Sequence, residues 1–347
     1  MSALMPPLQP VQRVDAAAAA SVCAAGRLHL GFLDPSGSLG RRFGSIGLAI
    51  DGFQTEVIIA PATRDEFHAD TPAGAAQLDR AAACVQRLRE HCGRVAPLAL
   101  RLCSVLPPHA GLGSGTQLAL AVGRAFARWQ GLEVATPTLA AWLGRGQRSG
   151  IGIAGFDQGG LLVDGGPGRS GLPAPLLARL PLPESWRVVV VLDEHRQGLS
   201  GAREAKAIAA LPALAQAQAA ELCHQVLMRV LPGAASGEFA PFAVGVNRVQ
   251  ELLGAHFAPA QGGSAWTSAS VGRLLQWVRS HAGDQAAVGQ SSWGPTGFAI
   301  VPSAPAAQHL LDAARAAGVI DAALVLRTVT ARNRGASVSG GAPRTRG

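Results

Sequence analysis

Lysine is almost missing from this chain of 347 residues, although its formal net charge is +8. Lys206 is the sole lysine, so arginine carries nearly all of the positive charge. A guanidinium binds phosphate or carboxylate through two parallel hydrogen bonds, which is compatible with anionic substrates. A GC-rich coding sequence would also favour arginine, and it explains most of the bias. Aromatic residues are few, at 5%, and no basic run before the C-terminal tail exceeds a pair, which argues against a nucleic-acid partner.

Cysteine is also scarce, and no two cysteines form a C-x-x-C pair. Their odd number and wide spacing indicate neither a zinc site nor a disulfide framework. We predict that they are reduced, mostly buried, small apolar residues, as in a protein of the reducing cytoplasm. The five are Cys23, Cys84, Cys92, Cys103 and Cys223.

Long hydrophobic runs are missing as well. No stretch approaches the roughly 18 uninterrupted apolar residues that a membrane helix needs. The alanine run at residues 16–20 follows no basic segment, unlike the apolar core of a signal peptide. We therefore expect no membrane partner. Hydrophobic residues make up 48% of the chain and charged residues 15%, which is enough to build a large core.

The pattern of apolar runs and turns predicts two folded lobes between two tails. Residues 1–21 and 336–347 are rich in Pro, Ala, Gly, Ser and Arg and are expected to be disordered. Strands and helices alternate through 22–185 and 186–335 without a strict βαβ rhythm, which predicts an α+β fold. The expected strands are 54–61, 98–105, 188–192, 297–301 and 324–329, and the expected helices are 75–91, 202–230, 241–254 and 306–317.

A glycine-rich turn that opens a helix carries the sharpest functional signal. It consists of Gly111, Leu112, Gly113, Ser114, Gly115 and Thr116. Glycines let the backbone close on a ligand, and the unpaired amides at a helix start attract an anion. The hydroxyls of Ser114 and Thr116 suit phosphate oxygens or a metal ion. An ordinary helix-capping turn would have the same composition, so the loop alone does not identify a ligand.

Three motifs in the right order resemble those of the GHMP kinase superfamily. Residues 108–114, PHAGLGS, resemble its P-x-x-G-L-G-S phosphate loop. Residues 26–31, GRLHLG, with Asp34 just after, resemble its N-terminal motif, and residues 289–298 stand where its third, glycine-rich motif is expected. The motifs lie within residues 22–335, so the resemblance covers most of the chain.

Within that superfamily the chain is similar to β-ribofuranosylaminobenzene 5′-phosphate synthases. Such long, ordered agreement is more specific than any single glycine loop. The similar segments are GRLHLGFLDPSG at 26–37, GLGSGTQLAL at 111–120, RSGIGIAGFDQGGLLVDGG at 148–166, GLSGAREA at 198–205, GQSSWGPTGF at 289–298 and ARNRGA at 331–336.

The resemblance implies a two-lobed GHMP fold, with a ribosomal S5 domain 2-like first lobe and a ferredoxin-like second lobe. It implies that phosphoribosyl diphosphate condenses with 4-aminobenzoate or 4-hydroxybenzoate and releases CO₂ and diphosphate. The product would lead to tetrahydromethanopterin and related one-carbon carriers. Mg²⁺ is the implied cofactor, because the leaving diphosphate needs charge neutralisation. The resemblance also suggests a homodimer.

The residues of these motifs give the expected site. The expected catalytic residues are Arg27, His29, Arg148 and Asp157. The expected phosphate-binding residues are Gly111, Leu112, Gly113, Ser114, Gly115 and Thr116, with Thr116 also the candidate metal contact. The expected substrate-binding residues are Ser149, Gln158, Ser291, Ser292, Trp293 and Asn333.

Structural roles compete with several of these assignments. His29 is equally well explained as a packed strand residue. Arg148 and Ser149 precede a glycine turn, so a structural role in capping that turn would explain them equally simply. Asp157 is followed by a glycine turn that it would merely orient. Trp293 has the size and polarity to stack on an aromatic acid, but it would also pack beneath its loop.

Two other functions compete with the synthase. The first alternative is an ATP-dependent small-molecule kinase of the same fold. Many such kinases carry S-G-x-D with a catalytic aspartate, but here Ser149-Gly150-Ile151 is followed by Gly152, and the loop has Gly115 where kinases carry a second serine. The second alternative is a non-catalytic ligand-binding protein of the GHMP type, which the joint presence of all these motifs disfavours.

Overall fold

The computed structural model of the protein describes residues 19–168, 173–199 and 201–341, apart from the side chains of residues 202, 203 and 205. The strands are β1 (Ala20–Asp34), β2 (Phe43–Pro61), β3 (Glu66–Ala69), β4 (Leu98–Ser104), β5 (Leu161–Asp164), β6 (Leu176–Leu180), β7 (Arg187–Asp193), β8 (Ala287–Gln290), β9 (Thr296–Val301), β10 (Leu324–Val329) and β11 (Ser337–Gly340). The α-helices are α1 (Pro72–Ala75), α2 (Leu78–Cys92), α3 (Ser114–Trp129), α4 (Thr136–Trp142), α5 (Ile151–Asp157), α6 (Gly201–Ala210), α7 (Gln216–Gln225), α8 (Leu231–Ser236), α9 (Phe239–Phe257), α10 (Ala269–Ala282) and α11 (Ala304–Ala316).

Seven of the described strands form the sheet of the first lobe. Its main path runs β11-β1-β2-β4-β3, and β5 and β6 continue from β2. The long strand β2 serves two partners, because residues 45–48 pair with β5 and residues 56–61 pair with β4. The β3–β4 pairing is parallel, whereas the other pairings in this sheet are antiparallel.

Both faces of the first sheet are buried along β1 and β2. Val22 and Val57 lie in the hydrophobic cluster formed with α2 and α3, where Phe126 is fully buried. Leu28 and Leu48 belong instead to a cluster that continues into the second lobe. The two lobes therefore share one hydrophobic core, and the segment of β1 around residues 27–32 runs along their junction.

The described strands of the second lobe form an antiparallel sheet in the order β10-β7-β9-β8. Helices connect β7 to β8 and β9 to β10, so the lobe has the βαββαβ arrangement of ferredoxin-like folds. Val188 and Val190 of β7 face the core shared by the lobes, whereas Val189 and Val191 pack against α10 and α11. Burial on both faces explains why β7 is a continuous apolar run. The two-lobed α+β prediction is confirmed.

The chain ends differ from the sequence-based prediction. Strand β1 begins at Ala20, and β11 (Ser337–Gly340) pairs with its first four residues, so the chain returns to the first lobe after β10. The sequence placed both segments in disordered tails, because Ser, Val and Gly in a short edge strand carry no hydrophobic period. Residues 1–18 and 342–347 of those expected tails lie outside the described residues.

The long helix expected over residues 202–230 is broken. The structure has α6, a bend at residues 211–215, then α7, which continues as a π-helical segment, Val226–Val230. Pro212 accounts for the break, because proline disfavours helical geometry in the residue before it. None of the helices in the described ranges is long and apolar enough to cross a membrane.

Candidate active site

The phosphate loop is held in a shape that only glycine permits at two positions. Gly111 has φ +90° and Gly113, which precedes α3, has φ +79°. A Cβ atom at Gly111 would lie 2.5 Å from the carbonyl oxygen of Ser291, and one at Gly113 would lie 3.3 Å from the guanidinium of Arg27. The amides of Ser114 and Gly115 have no carbonyl acceptor among the described residues, whereas that of Thr116 donates to the carbonyl of Gly113. The loop therefore offers backbone donors beside an arginine.

Ser291 joins the loop to β1 and to the β8–β9 turn. Its hydroxyl accepts a hydrogen bond from the amide of His29 (2.9 Å) and donates one to the carbonyl of Gly111 (2.7 Å). Next to it, the amide of Ser292 donates to the carbonyl of His29 (3.1 Å), and Ser292 has φ +56°, unusual for a residue with a side chain. The three glycine-rich motifs of the sequence thus meet through direct hydrogen bonds.

Arg27 and His29 are separated by one residue on β1, and both lie at this junction. Arg27 Nη1 donates to the carbonyl of Gly111 (2.7 Å), while its Nε is buried and finds no partner among the described residues. Burial lowers the pKa of Arg27 to about 10, against the opposing effect of Glu204. Arg27 therefore keeps its charge at neutral pH and retains a free donor.

His29 is only 3% exposed, and neither ring nitrogen has a partner among the described residues. Burial lowers its pKa well below 6.5, and the charges of Arg27 and Arg148 lower it further. The imidazole is therefore neutral at pH 7, with a free donor and a free acceptor. Unpaired buried polar atoms are rare in folded proteins, and their presence here is typical of a ligand site.

Arg148 and Glu204 complete the charged cluster. Arg148 Nη2 donates to Glu204 Oε2 at 2.7 Å, and Nη1 of the same arginine is buried without a partner in the described structure. Burial raises the pKa of Glu204, and Arg148 and Arg27 oppose that rise. Glu204 was not among the residues predicted for the site. Its segment, GLSGAREA, was the one signal in the sequence.

Ser149 is bonded to the turn that carries Arg148. Its hydroxyl donates to Asp164 Oδ2 (3.1 Å), and the same oxygen accepts from the amide of Gly150 (2.8 Å) and from Ser45. Asp164 is fully buried and fixes the turn at the start of α5. Ser149 therefore positions the turn that carries Arg148.

A cavity of about 340 Å³ opens beside His29, between β1, α9, α10 and the β8–β9 turn. Trp293 lines it and is 3% exposed, with its ring centroid 4.6 Å from that of Phe257 and its Nε1 unpaired in the described structure. The wall is mainly aromatic and aliphatic, and polar groups reach it from α9, α10 and β8, among them the carboxylate of Glu251. Further lining residues are Phe32, Leu253, Trp266, Leu275, Gln276 and Arg279.

Comparison with known proteins agrees with this geometry. The family model described as "GHMP kinases N terminal domain" matches residues 79–161. A β-ribofuranosylphenol 5′-phosphate synthase from Archaeoglobus fulgidus is 34% identical over 289 residues, which cover 80% of this chain and 86% of that protein. The chain belongs to the β-ribofuranosylphenol 5′-phosphate synthase family. The family prediction and the expectation of an enzyme are confirmed. A relative of the same name from Methanothermobacter thermautotrophicus is 30% identical over 242 residues, covering 65% of this chain and 73% of its own.

Solved structures share the fold of this synthase family member at low identity. A homoserine kinase from Cytophaga hutchinsonii matches 96% of the chain and 100% of its own, with a TM-score of 0.65 and 17% identity. A mevalonate diphosphate decarboxylase from Staphylococcus aureus matches 92% of the chain and 98% of its own, with a TM-score of 0.64 and 15% identity. Both similarities confirm the GHMP fold.

Three predicted site residues lie elsewhere in this synthase family member. Asp157 stands at the far end of α5, about 10 Å along the helix from the turn of Arg148, and accepts a hydrogen bond from Thr136. Gln158 is exposed beside it. The side chain of Asn333 makes two hydrogen bonds to the backbone of Leu182 (2.9 and 2.8 Å). Asp157 therefore links the end of α5 to the start of α4, and Asn333 ties the segment after β10 to the first lobe.

The oxygen donors of the loop are the hydroxyls of Ser114 and Thr116, and the carboxylate of Glu204, paired with Arg148, lies within reach of the charge of Arg27. No group of three His, Cys, Asp or Glu side chains in the described part of the chain could hold a metal ion. Mg²⁺ commonly takes only one or two protein carboxylates and completes its shell with water and substrate phosphates. This donor set fits a Mg²⁺ ion that binds together with a diphosphate.

Proposed function

We propose that the chain condenses phosphoribosyl diphosphate with 4-hydroxybenzoate or 4-aminobenzoate and releases CO₂ and diphosphate, on the route to tetrahydromethanopterin-type carriers. One observation carries the proposal: an arginine-lined phosphate loop and an aromatic-walled cavity meet at His29. The relatives are named for a ribofuranosylphenol phosphate, and a phenol product requires a hydroxyl on the acceptor ring. The hydroxy acid is therefore the first acceptor to test.

The loop and its arginines suit the diphosphate of the donor. The amides at the start of α3, together with Arg27 and Arg148, provide charge-assisted hydrogen bonds to phosphate oxygens. Mg²⁺, when bound, neutralises part of the charge that develops on the leaving diphosphate. Thr116 and Glu204 would hold it. Excess EDTA should therefore abolish turnover but leave the unfolding temperature unchanged, and full activity in EDTA would contradict this role.

The cavity suits the aromatic acceptor. Its volume, about 340 Å³, lies at the lower end of the range for small-molecule sites, roughly 300–1,000 Å³. Trp293 and Phe257 provide flat apolar walls for a ring. The acceptor carboxylate would point back toward the same two arginines, so Arg27 and Arg148 would lie between it and the diphosphate.

The chemistry then needs no base at the reacting carbon. The ring carbon that bears the carboxylate attacks C1′ of the ribose, and the C1′–O bond breaks with its electron pair passing to diphosphate. The bond to the carboxylate breaks next, its electrons restore the aromatic ring, and CO₂ leaves. Neutral His29 adds no positive charge beside the cation-like ribosyl centre.

The kinase alternative lacks its catalytic carboxylate. A Cβ atom at Gly152 would lie 3.2 Å from Thr116 Cγ2, so this position does face the phosphate loop, yet it has no side chain. The nearby Glu204 is paired with Arg148. A positioned base contributes about 10²–10⁴-fold to such a proton transfer. Ligand binding without any turnover would instead favour the non-catalytic alternative.

A comparison of three benzoates as acceptors tests the proposal. Purified protein with phosphoribosyl diphosphate and Mg²⁺ should release CO₂ from 4-hydroxybenzoate or 4-aminobenzoate, because the para substituent makes the attacking carbon electron-rich. Unsubstituted benzoate should not react. Equal rates for all three would refute a ring-carbon nucleophile.

We also propose a cytoplasmic location, which the five free cysteines support, and a homodimer, which light scattering tests.

A further inference from the structure

Two arginines approach the loop at Gly115, two residues beyond the point where Arg27 meets it. A Cβ atom at Gly115 would lie 3.0 Å from Arg80 Nη2 and 3.5 Å from Arg145 Nη1. Arg80 is on α2 and Arg145 follows α4, so two separate elements bring them to the loop. Arg87, on the same helix as Arg80, is near enough to affect Arg145. Burial lowers the pKa of Arg145, Cys84 opposes that shift, and the charges of Arg80 and Arg87 lower the pKa further.

These charges have no carboxylate partner among the described residues. None of the ion pairs found within the described ranges includes Arg80, Arg87 or Arg145. Arg80 donates to the side chain of Gln77 (3.1 Å), and Arg145 Nε is buried with no partner there. The positive end of the α3 dipole adds to the repulsion. Such an arrangement costs free energy unless an anion occupies it.

We propose that Arg80 and Arg145 form a second phosphate subsite at Gly115, which holds the 5′-phosphate of the donor. This assignment rests on the proposed function. The donor carries anionic groups on two ends of its ribose, and the diphosphate is bonded to C1′, which must face the acceptor. Arg27 and Arg148 adjoin His29 and the cavity, so they take the diphosphate. The remaining cationic group, outside the cavity lining, takes the 5′-phosphate.

The subsite also explains a departure from the kinase pattern. Kinases of this fold carry a second serine where this loop has Gly115. A Cβ atom there would meet Arg80 Nη2 at 3.0 Å, so glycine lets both guanidinium groups come this close to the start of α3. The exchange replaces a hydroxyl contact with two guanidinium groups beside the loop.

Calorimetric titration with ribose 5-phosphate and with inorganic pyrophosphate tests the assignment. Arg145→Gln and Arg80→Gln should each weaken binding of ribose 5-phosphate about tenfold or more, because a charge-assisted hydrogen bond is lost, and should change pyrophosphate binding less than twofold. Arg145→Lys keeps the charge but not the planar guanidinium. Its affinity for ribose 5-phosphate should lie between those of the wild type and Arg145→Gln. Arg94→Gln, an exposed arginine on the turn after α2, is the matched control for net charge and should bind both ligands like the wild type.

Unchanged binding of ribose 5-phosphate in both glutamine variants would overturn the subsite. Loss of pyrophosphate binding alone would overturn the 5′-phosphate assignment, since the arginines would then hold the diphosphate. Thermal unfolding separates a binding role from a structural one. Without ligand, Arg145→Gln relieves repulsion and should unfold at the same or a higher temperature, whereas a structural arginine would lower it. A wild type that binds both ligands but makes no product would refute the proposed function while leaving the subsite in place.

Discussion

Among single residues, Gly113 offers the most direct test of the phosphate loop. Gly113→Ala forces a side chain into φ +79° and against the Arg27 guanidinium. We expect donor binding to weaken about tenfold and stability to fall by about 1–2 kcal/mol. Gly93→Ala is the control, because Gly93 has φ +66° with nothing within 4 Å of its Cβ. The Gly93→Ala variant should lose a similar amount of stability and should bind the donor with wild-type affinity. Unchanged affinity in Gly113→Ala, by calorimetry, would remove the loop from the site.

Gly152 distinguishes the synthase from a kinase. Gly152→Asp places a carboxylate beside Thr116, where it should repel the diphosphate and raise the KM for phosphoribosyl diphosphate. Gly152→Ala adds the Cβ contact without the charge and is the matched control. We expect the KM for phosphoribosyl diphosphate to be much higher in the aspartate variant than in the alanine variant. The aspartate variant should show no ATP-dependent activity. Gain of kinase activity on an alcohol would contradict the account.

His29 should make stability depend on pH. Its pKa in the folded protein lies well below 6.5, so the unfolded chain binds a proton that the folded chain does not. The free energy of unfolding should therefore decrease as the pH falls below about 6.5. In His29→Gln that decrease should be smaller, whereas exposed His195→Gln should keep it. Urea unfolding at pH 7.5 and pH 5 measures both, and an equal pH dependence in wild type and His29→Gln would contradict the buried, neutral imidazole.

At the scale of elements, the β8–β9 turn holds the loop in place through Ser291. Ser291→Ala leaves the amide of His29 and the carbonyl of Gly111 without this partner, so we expect a loss of about 1–3 kcal/mol. The loop should also loosen, raising the KM for the donor. Ser236→Ala removes an exposed hydroxyl that bonds within its own helix and should change neither quantity. A wild-type KM in Ser291→Ala would show that the turn does not position the loop.

The elements also show which predictions the sequence supports. Helix α3 was predictable because its apolar residues recur at helical spacing. Strand β7 was predictable because its apolar residues form an unbroken run. Asp157 was singled out because it precedes a glycine turn, and the rise of α5 places it away from the turn of Arg148. Strand β11 was missed because its pairing with β1 joins opposite ends of the chain.

For the whole molecule, the motif order was enough to predict the GHMP fold and the meeting of three glycine-rich segments. The sequence did not predict the group of Arg80 and Arg145 at Gly115, because α2 and the segment after α4 converge on the loop only in the folded chain. Glu204 likewise reaches Arg148 across the two lobes. Such contacts depend on packing between elements distant in sequence, which no local pattern records.

The central claim concerns the reaction itself, and carboxyl-labelled 4-hydroxybenzoate tests it most directly. The wild-type protein with phosphoribosyl diphosphate and Mg²⁺ should release labelled CO₂ and diphosphate in equal amounts, and the unlabelled ring should carry ribose 5-phosphate on the carbon that lost the carboxylate. ATP should not replace phosphoribosyl diphosphate. Consumption of ATP with a simple alcohol, with no labelled CO₂ formed from phosphoribosyl diphosphate, would contradict the account and establish a kinase instead.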